Sequence, residues 1–482
     1  MRRGKPSWPD PLARATRRVL SSAAMPSAQE TPPTAPEFRA GYARRLRLFD
    51  ATMLVIGGII GAGIFLNPAV VAQRVPTTSL AVAAWVLGGA VAMAGALCFA
   101  ELGARKPYAG GGYVYLRDAF GPLPAFLYGW TQLLVINSGG IAAVAVTFAR
   151  YGASLVGGGP SLTTPMAVGA IVFLSGVNYF GIRPGAVVQN IFTVLKLVAL
   201  AFLIGAGLML GLDGAGPTAT APSEHGSVST VVTAMGAALI PVLFAYGGWQ
   251  STNFVAEEIK NTTRDLPRAL LLGVSGVVAV YVLANVVYLA VLGLPGLAES
   301  SAPAADVMER VLGTFGRTAI SIGIVVSTFG FLNLAILASP RMYQAMAADG
   351  VFIGAAAHLH PQHHVPAVAL MIQAGWAILL VSTKTYGQLL DYVVFGDWIF
   401  FGLVGATIFY YRAHQRPAPT GFRTPAYPWV PAFFVAAAVF TVVSTITANL
   451  RDAALGALLI LMGVPAFALW RALRRMRGTE QT

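Results

Sequence analysis

Glycine interrupts two otherwise apolar stretches at their centres: Gly57-Gly58-Ile59-Ile60-Gly61-Ala62-Gly63-Ile64-Phe65 and Phe244-Ala245-Tyr246-Gly247-Gly248-Trp249. Each glycine costs a helix about 1 kcal/mol relative to alanine, so such runs mark places where a helix unwinds. If Ile59 to Gly63 unwind, the half-helix starting near Ile64 offers unpaired N–H groups and the positive end of its dipole to an anion. The half-helix ending near Ile59 offers bare carbonyls to a cation, and the second run does the same near Phe244 and Gly247. Two such breaks side by side can hold a carboxylate and an ammonium one carbon apart. That is the pattern of a zwitterionic α-amino acid. The competing reading is close helix contact through small residues, and Gly57 and Gly61 do have Gly-x-x-x-Gly spacing.

Single polar residues in apolar surroundings add to this. Lys196 stands in Phe192-Thr193-Val194-Leu195-Lys196-Leu197-Val198. A lysine at membrane depth is costly and marks function by default; snorkelling to an interface is strained by its distance from either end of the stretch. Asp391 and Asp397 lie in or beside another apolar stretch, with Asp397 in Phe395-Gly396-Asp397-Trp398. A buried aspartate there could couple to protons, bind a basic side chain, or hydrogen-bond a neighbouring helix. Gln250, just past the second break, is placed to touch a substrate side chain, and Asn333 could equally join helices. Glu257, Glu258, Arg264, Asp265, Arg268 and Arg341 cluster at helix ends and are expected to form an ion-pair network. His358, His360, His363 and His364 sit in a short Pro-containing loop without a nearby cysteine, so no metal site is expected.

The elements that must position these groups span a membrane. Of 482 residues 56% are hydrophobic and only 11% charged, and the mean hydropathy is +0.68. Stretches near the bilayer-spanning length of about 20 residues are expected at 48–75, 80–103, 121–150, 163–180, 188–212, 228–259, 267–293, 317–347, 366–383, 386–411, 428–447 and 452–472. This gives an all-α membrane protein of twelve transmembrane helices with no room for a sizeable soluble domain. The formal net charge of +13 suggests nucleic acid until its distribution is read. With both termini inside, only Arg74, Arg150, Arg310, Arg317, Lys384 and Arg451 fall outside, and Lys196 within a span. The charge therefore sets topology, with anionic lipid as its natural partner and no nucleic acid. Residues 1–47 read as a disordered basic cytoplasmic tail or an over-extended start with initiation at Met25; Met1–Ala24 also has a faint transit-peptide character. Residues 473–482 read as a second cytoplasmic tail. The one cysteine, Cys98, excludes an intramolecular disulfide.

Paired helix breaks at matching places in two halves point to the substrate site of a secondary transporter. The motifs carry the same message. Gly-Ile-Ile-Gly-Ala-Gly-Ile-Phe at 58–65, Glu101-Leu102-Gly103, Ala109-Gly110-Gly111-Gly112-Tyr113-Val114-Tyr115, the run from Phe244 to Arg268, and Ser339-Pro340-Arg341-Met342-Tyr343 continuing to Gly350 follow one another in order. In these the chain resembles the amino acid–polyamine–organocation superfamily, and bacterial relatives of the L-type amino acid transporter light chains in particular. The resemblance implies a LeuT-type 5+5 inverted repeat, with repeats at about 48–212 and 228–411 and two additional C-terminal helices at about 428–472. It implies a site between spans 1, 3, 6, 8 and 10, with the substrate carboxylate on the N–H groups of Ala62 and Gly63 and its amino group on the carbonyls of Ile59, Phe244 and Gly247. Gly61, Ala245 and Gln250 complete the substrate-binding set, and Phe244 is the gate. Lys196 would brace the unwound carbonyls where sodium-coupled relatives keep a cation, pointing to exchange or proton linkage; Asp397 is the second candidate for coupling.

Animal light chains bond a heavy chain through a cysteine in the loop after span 3, and residues 151–162 hold none, so no disulfide-linked heavy chain is expected. The expected function is sodium-independent transport of amino acids across a bacterial inner membrane. Small or apolar positions at the breaks (Ala62, Ala245) favour neutral substrates, and Asp397 leaves cationic ones open. An amino-acid sensor without net flux is the alternative. No nucleophile–base pair, metal site or cofactor motif suggests an enzyme.

Overall fold

The computed structural model describes residues 41–210, 228–383, 386–415, 421–448 and 450–479. Among these there is no β-strand, only an isolated bridge between Leu46 and Ile259. The helices are α1 (Leu48–Ile59), α2 (Gly63–Ala72), α3 (Thr78–Arg105), α4 (Gly112–Phe120), α5 (Pro122–Thr131) and α6 (Asn137–Leu155). They continue with α7 (Thr163–Tyr179), α8 (Ile182–Leu210), α9 (Val228–Ala245), α10 (Thr262–Glu299), α11 (Pro303–Ala338) and α12 (Pro340–Ala348). The last are α13 (Ala367–Thr383), α14 (Tyr386–His414), α15 (Trp429–Ala448), α16 (Leu450–Leu461) and α17 (Gly463–Thr479).

The protein is an all-helical membrane protein. Ten continuous or broken helical segments among the described residues are long and apolar enough to cross a bilayer. The two further spans expected from sequence correspond to α13, which has only 17 residues, and to α14. Burial follows a membrane logic, with the 48–72 segment mostly inside the bundle while 429–447 and 450–472 keep most of their apolar surface outward. Helices with few charges and apolar outer faces belong in lipid.

Sequence marks many helix boundaries chemically. Thr77 caps α3, its hydroxyl accepting from Leu80 N at 3.3 Å. Gly121 (φ +89°) turns the chain between α4 and α5, and Pro122 opens α5. Inside the bundle α10 lies along α3 and α1, and α11 lies along α8 and α6. A buried carboxylate ties one end together: Glu101 accepts from Arg105 Nε (2.8 Å), Arg412 Nη2 (2.6 Å) and Thr424 N (2.8 Å), joining α3, α14 and the approach to α15.

The segment before α1 departs from the expected tail over 1–47. Tyr42 and Leu46 are buried. Arg45 N and Leu46 N both donate to Glu258 O, and Lys260 N donates to Leu46 O. Backbone pairing and an aromatic ring over Arg341, 5.9 Å from its guanidinium carbon, hold these residues to the bundle. Residues 1–40 lie outside the described set.

Candidate substrate site

The first helix breaks between Ile59 and Gly63. Ile60 adopts extended backbone (φ −76°, ψ 91°), and Gly61 N turns back to Ile59 O at 2.9 Å. The carbonyls of Gly57 and Ile60 thereby leave the helical ladder, and both are met by one cation. Lys196 Nζ donates to Gly57 O at 3.1 Å and to Ile60 O at 2.6 Å, fully buried. Ser327 Oγ donates toward Ile60 O and Gly61 O at 3.3 and 3.2 Å. On the other side of the break, the N–H groups of Ala62 and Gly63 find no acceptor among the described residues.

The second break is not a copy of the first. α9 ends at Ala245, the chain turns through Tyr246-Gly247-Gly248, and Trp249–Glu258 follows as two short 3₁₀ pieces meeting at a kink at Val255 (φ −99°, ψ 16°) rather than as an α-helix. Such short pieces are the usual extent of 3₁₀ structure, and a side chain ties them to neighbouring elements. Asn253 Nδ2 donates to Phe99 O and to Tyr115 Oη, each at 3.0 Å. Gly248 has φ +111°, and a Cβ there would overlap the Gly58 carbonyl. The two breaks therefore touch backbone to backbone through Gly58 and Gly248. A Cβ on Gly63 would come within 2.9 Å of Ala245 Cα, a second point of close approach. Gly57, by contrast, faces Gln189 and Thr193 of α8 and serves helix packing.

A cavity of about 210 Å³ opens beside the two breaks. Ile59, Gly61, Ala62, Gly63, Phe244, Ala245, Gly247 and Gln250 all line it, and so does Asp397. Its other walls come from Ile136, Asn137 and Thr147 on α6 or just before it, Phe331 and Leu334 on α11, and Trp398 and Phe401 on α14. Lys196 lies behind the first break and does not reach the cavity surface. Asp391 lies in α14, but its side chain is outside the described set.

Three details refine the expected contacts. Ile59 O is already taken, accepting from Gly61 N and from Tyr281 Oη at 3.0 Å. Phe244 O accepts Gly247 N at 3.2 Å and keeps one lone pair, while Gly247 O has no partner among the described residues. Asp397, named from the sequence as a coupling candidate that leaves cationic substrates open, stands on the cavity wall, where the rotation of α14 puts it. Tyr281 and Ser327, which brace the first break from α10 and α11, were not singled out from the sequence. A hydroxyl inside an apolar span is their only signal.

Two pairs of the expected ion-pair network are seen among the described residues. Arg341 Nε meets Glu258 Oε1 at 2.7 Å with both side chains buried. Arg264, itself exposed, meets the neighbouring buried Asp265 at 2.8 Å, and Glu257 accepts from Ala109 N at 3.3 Å. A second cluster sits nearby: Arg117 Nη1 reaches Asp349 at 2.7 Å, and Tyr113 Oη donates to the same carboxylate at 2.8 Å. Burial pushes the Tyr113 hydroxyl well above its ordinary pKa, and Asp349 adds to this, so the phenol stays a donor. The face holding Arg341 and Glu258 is thus densely packed, whereas Phe244 on the opposite side of the breaks is 36% exposed. Among the described residues no three His, Cys, Asp or Glu gather to hold a metal. His360 and His363 stack on each other and meet the Tyr179 ring edge-on and tilted, respectively.

A profile of amino acid permeases matches residues 46–468. The chain belongs to the amino acid permease family. The permease is 32% identical over 432 residues to the serine/threonine exchanger SteT of Bacillus subtilis (strain 168), covering 89% of this chain and 97% of that protein. It is 31% identical over 407 residues to the human b(0,+)-type amino acid transporter 1, covering 84% and 82% of the two chains. A third relative is the human Asc-type amino acid transporter 1, 31% identical over 457 residues that cover 92% and 85%. The permease is accordingly a membrane transporter of amino acids and not an enzyme.

Proposed function

We propose that the permease is a sodium-independent exchanger of neutral amino acids in a bacterial plasma membrane, working by alternating access with both termini cytoplasmic. The substrate carboxylate sits on the N–H groups of Ala62 and Gly63, and its ammonium on the carbonyls of Gly247 and Phe244. The observation that carries the reading is Lys196, whose ammonium occupies the Gly57 and Ile60 carbonyls freed by the first break. The protein's own cation thus fills the place a coupling ion would take. Phe244 borders the cavity and closes it from outside, while the buried Arg341–Glu258 pair closes it toward the cytoplasm. Exchange is favoured over proton-linked uptake by the similarity to a serine/threonine exchanger. Cys98 is buried in α3, which supports a carrier working without a disulfide-linked partner. The positive charge on the cytoplasmic side would meet anionic lipid.

Purified protein in liposomes tests this. Uptake of radiolabelled neutral amino acids without sodium should require unlabelled amino acid trapped inside. Uptake into empty vesicles driven by an inward proton gradient would replace exchange with proton symport. Saturable binding with no flux in either condition would make the protein a sensor.

A further inference from the structure

Asp397 is the one charge-bearing side chain among the described residues that line the cavity. Its Oδ1 receives one long hydrogen bond, from Gln132 Nε2 at 3.4 Å, and among the described residues no lysine or arginine pairs with it. The geometry around it explains why Gln132 does no more. Residues 132–136 form a π-helical turn joining α5 to α6, and a π turn brings residues five apart into register. Asn137 Nδ2 therefore donates to Gln132 Oε1 at 2.7 Å, fixing that amide with its N–H side toward Asp397. A carboxylate accepts at about four lone-pair sites, and a buried polar group left without partners is costly. The remaining sites of Asp397 open onto the cavity, beside Asn137, Trp398 and Phe401.

We propose that Asp397 reads the substrate's side chain, accepting a hydrogen bond from a hydroxyl or N–H on it and so selecting short donor-bearing amino acids over their apolar isosteres. This rests on the transport reading above, in which the breaks hold the groups common to all amino acids. The side-chain end is then judged on the wall supplied by α6 and α14. Without a donor from the substrate, that carboxylate closes into the cavity short of partners, a penalty that a hydroxyl or N–H relieves and a methyl group does not.

Threonine and valine differ by hydroxyl against methyl and are the probes. Wild-type protein in liposomes should take up threonine with a kcat/KM at least ~10-fold above that for valine. Asp397→Leu should bring the ratio to about one or invert it while valine flux persists, and Asp397→Asn, which keeps one acceptor and the shape, should fall between. Equal handling of the two by the wild type, or an unchanged ratio in the leucine variant, overturns the role of Asp397. If Asp397→Leu does not fold, the wild-type ratio and the asparagine variant still decide. A wild type that moves and binds neither amino acid instead overturns the transport reading itself.

Discussion

Replacing Lys196 by methionine keeps the length and flexibility of the side chain and removes its ammonium. Two carbonyls lose their donor. Ile60 O retains Ser327 Oγ at 3.3 Å, but Gly57 O loses its one observed partner, because Gly61 N has turned to Ile59 O. A buried acceptor left unsatisfied costs about 1–3 kcal/mol, and hydrogen bonds to a charged group contribute about 1.5–3 kcal/mol net. Part of this is returned, since the buried ammonium no longer has to be desolvated. If about 2 kcal/mol remains as disorder of the break, substrate affinity falls by roughly 30-fold. Equilibrium binding of a radiolabelled substrate to purified Lys196→Met, with thermal melting as the control for folding, measures it. Gly330→Ala perturbs the same contact without deleting the charge, because its new Cβ would lie 3.3 Å from Lys196 Nζ and 2.9 Å from Phe192 Cβ. A smaller loss is expected there. Undiminished affinity in both variants would falsify the bracing role of Lys196.

The contact between the breaks gives further expectations. Gly63→Ala places a methyl 2.9 Å from both Cα and Cβ of Ala245, and should weaken binding by at least ~10-fold while the protein stays monodisperse in size-exclusion chromatography; wild-type affinity would refute the placing of the carboxylate there. Gly248→Ala, at φ +111° against the Gly58 carbonyl, should destabilise the bundle by several kcal/mol, on the scale of about 1–3 for overpacking plus about 1–2 for a left-handed conformation. An unchanged melting temperature would show that the backbone contact is not needed. Arg341→Met leaves Glu258 buried and unpaired, a change worth about 3–5 kcal/mol. Melting should fall sharply and recover in the double variant Arg341→Met, Glu258→Leu; no recovery would mean that the arginine acts through other contacts.

Much of the fold was legible because lipid imposes a simple code. Apolar length located the spans, and glycine runs located the breaks. What escaped was relational. The turn at Gly248 was visible as two glycines, yet its left-handed backbone and the 3₁₀ pieces beyond depend on Asn253 reaching Phe99 and Tyr115. Ser327 and Thr328 are indistinguishable by sequence, but Ser327 turns to the first break while Thr328 bonds back to Ile324 O of its own helix at 2.8 Å. Tyr281 reaches Ile59 from more than 200 residues away along the chain. The placement of Asp397 on the cavity wall follows from the rotation of α14, and an aspartate flanked by glycine and tryptophan in an apolar stretch does not reveal which way it faces. The tail was read as too long because Tyr42 and Leu46 are isolated apolar residues, and their burial depends on Arg341 and Ile259 far downstream.

The cavity's walls differ in kind. Where the two broken helices cross, the surface is main chain and hydrogen, with Gly58 and Gly63 set against Gly248 and Ala245. The facing surface is made of side chains: Asn137, Thr147, Phe331, Asp397, Trp398 and Phe401. Main chain cannot be mutated, only obstructed, so changes on the first wall act as a switch between working and dead. Changes on the second leave the crossing intact and act as a dial. A new cargo for this scaffold is therefore to be sought by redrawing a handful of positions on α6, α11 and α14, with the glycine crossing left alone as chassis.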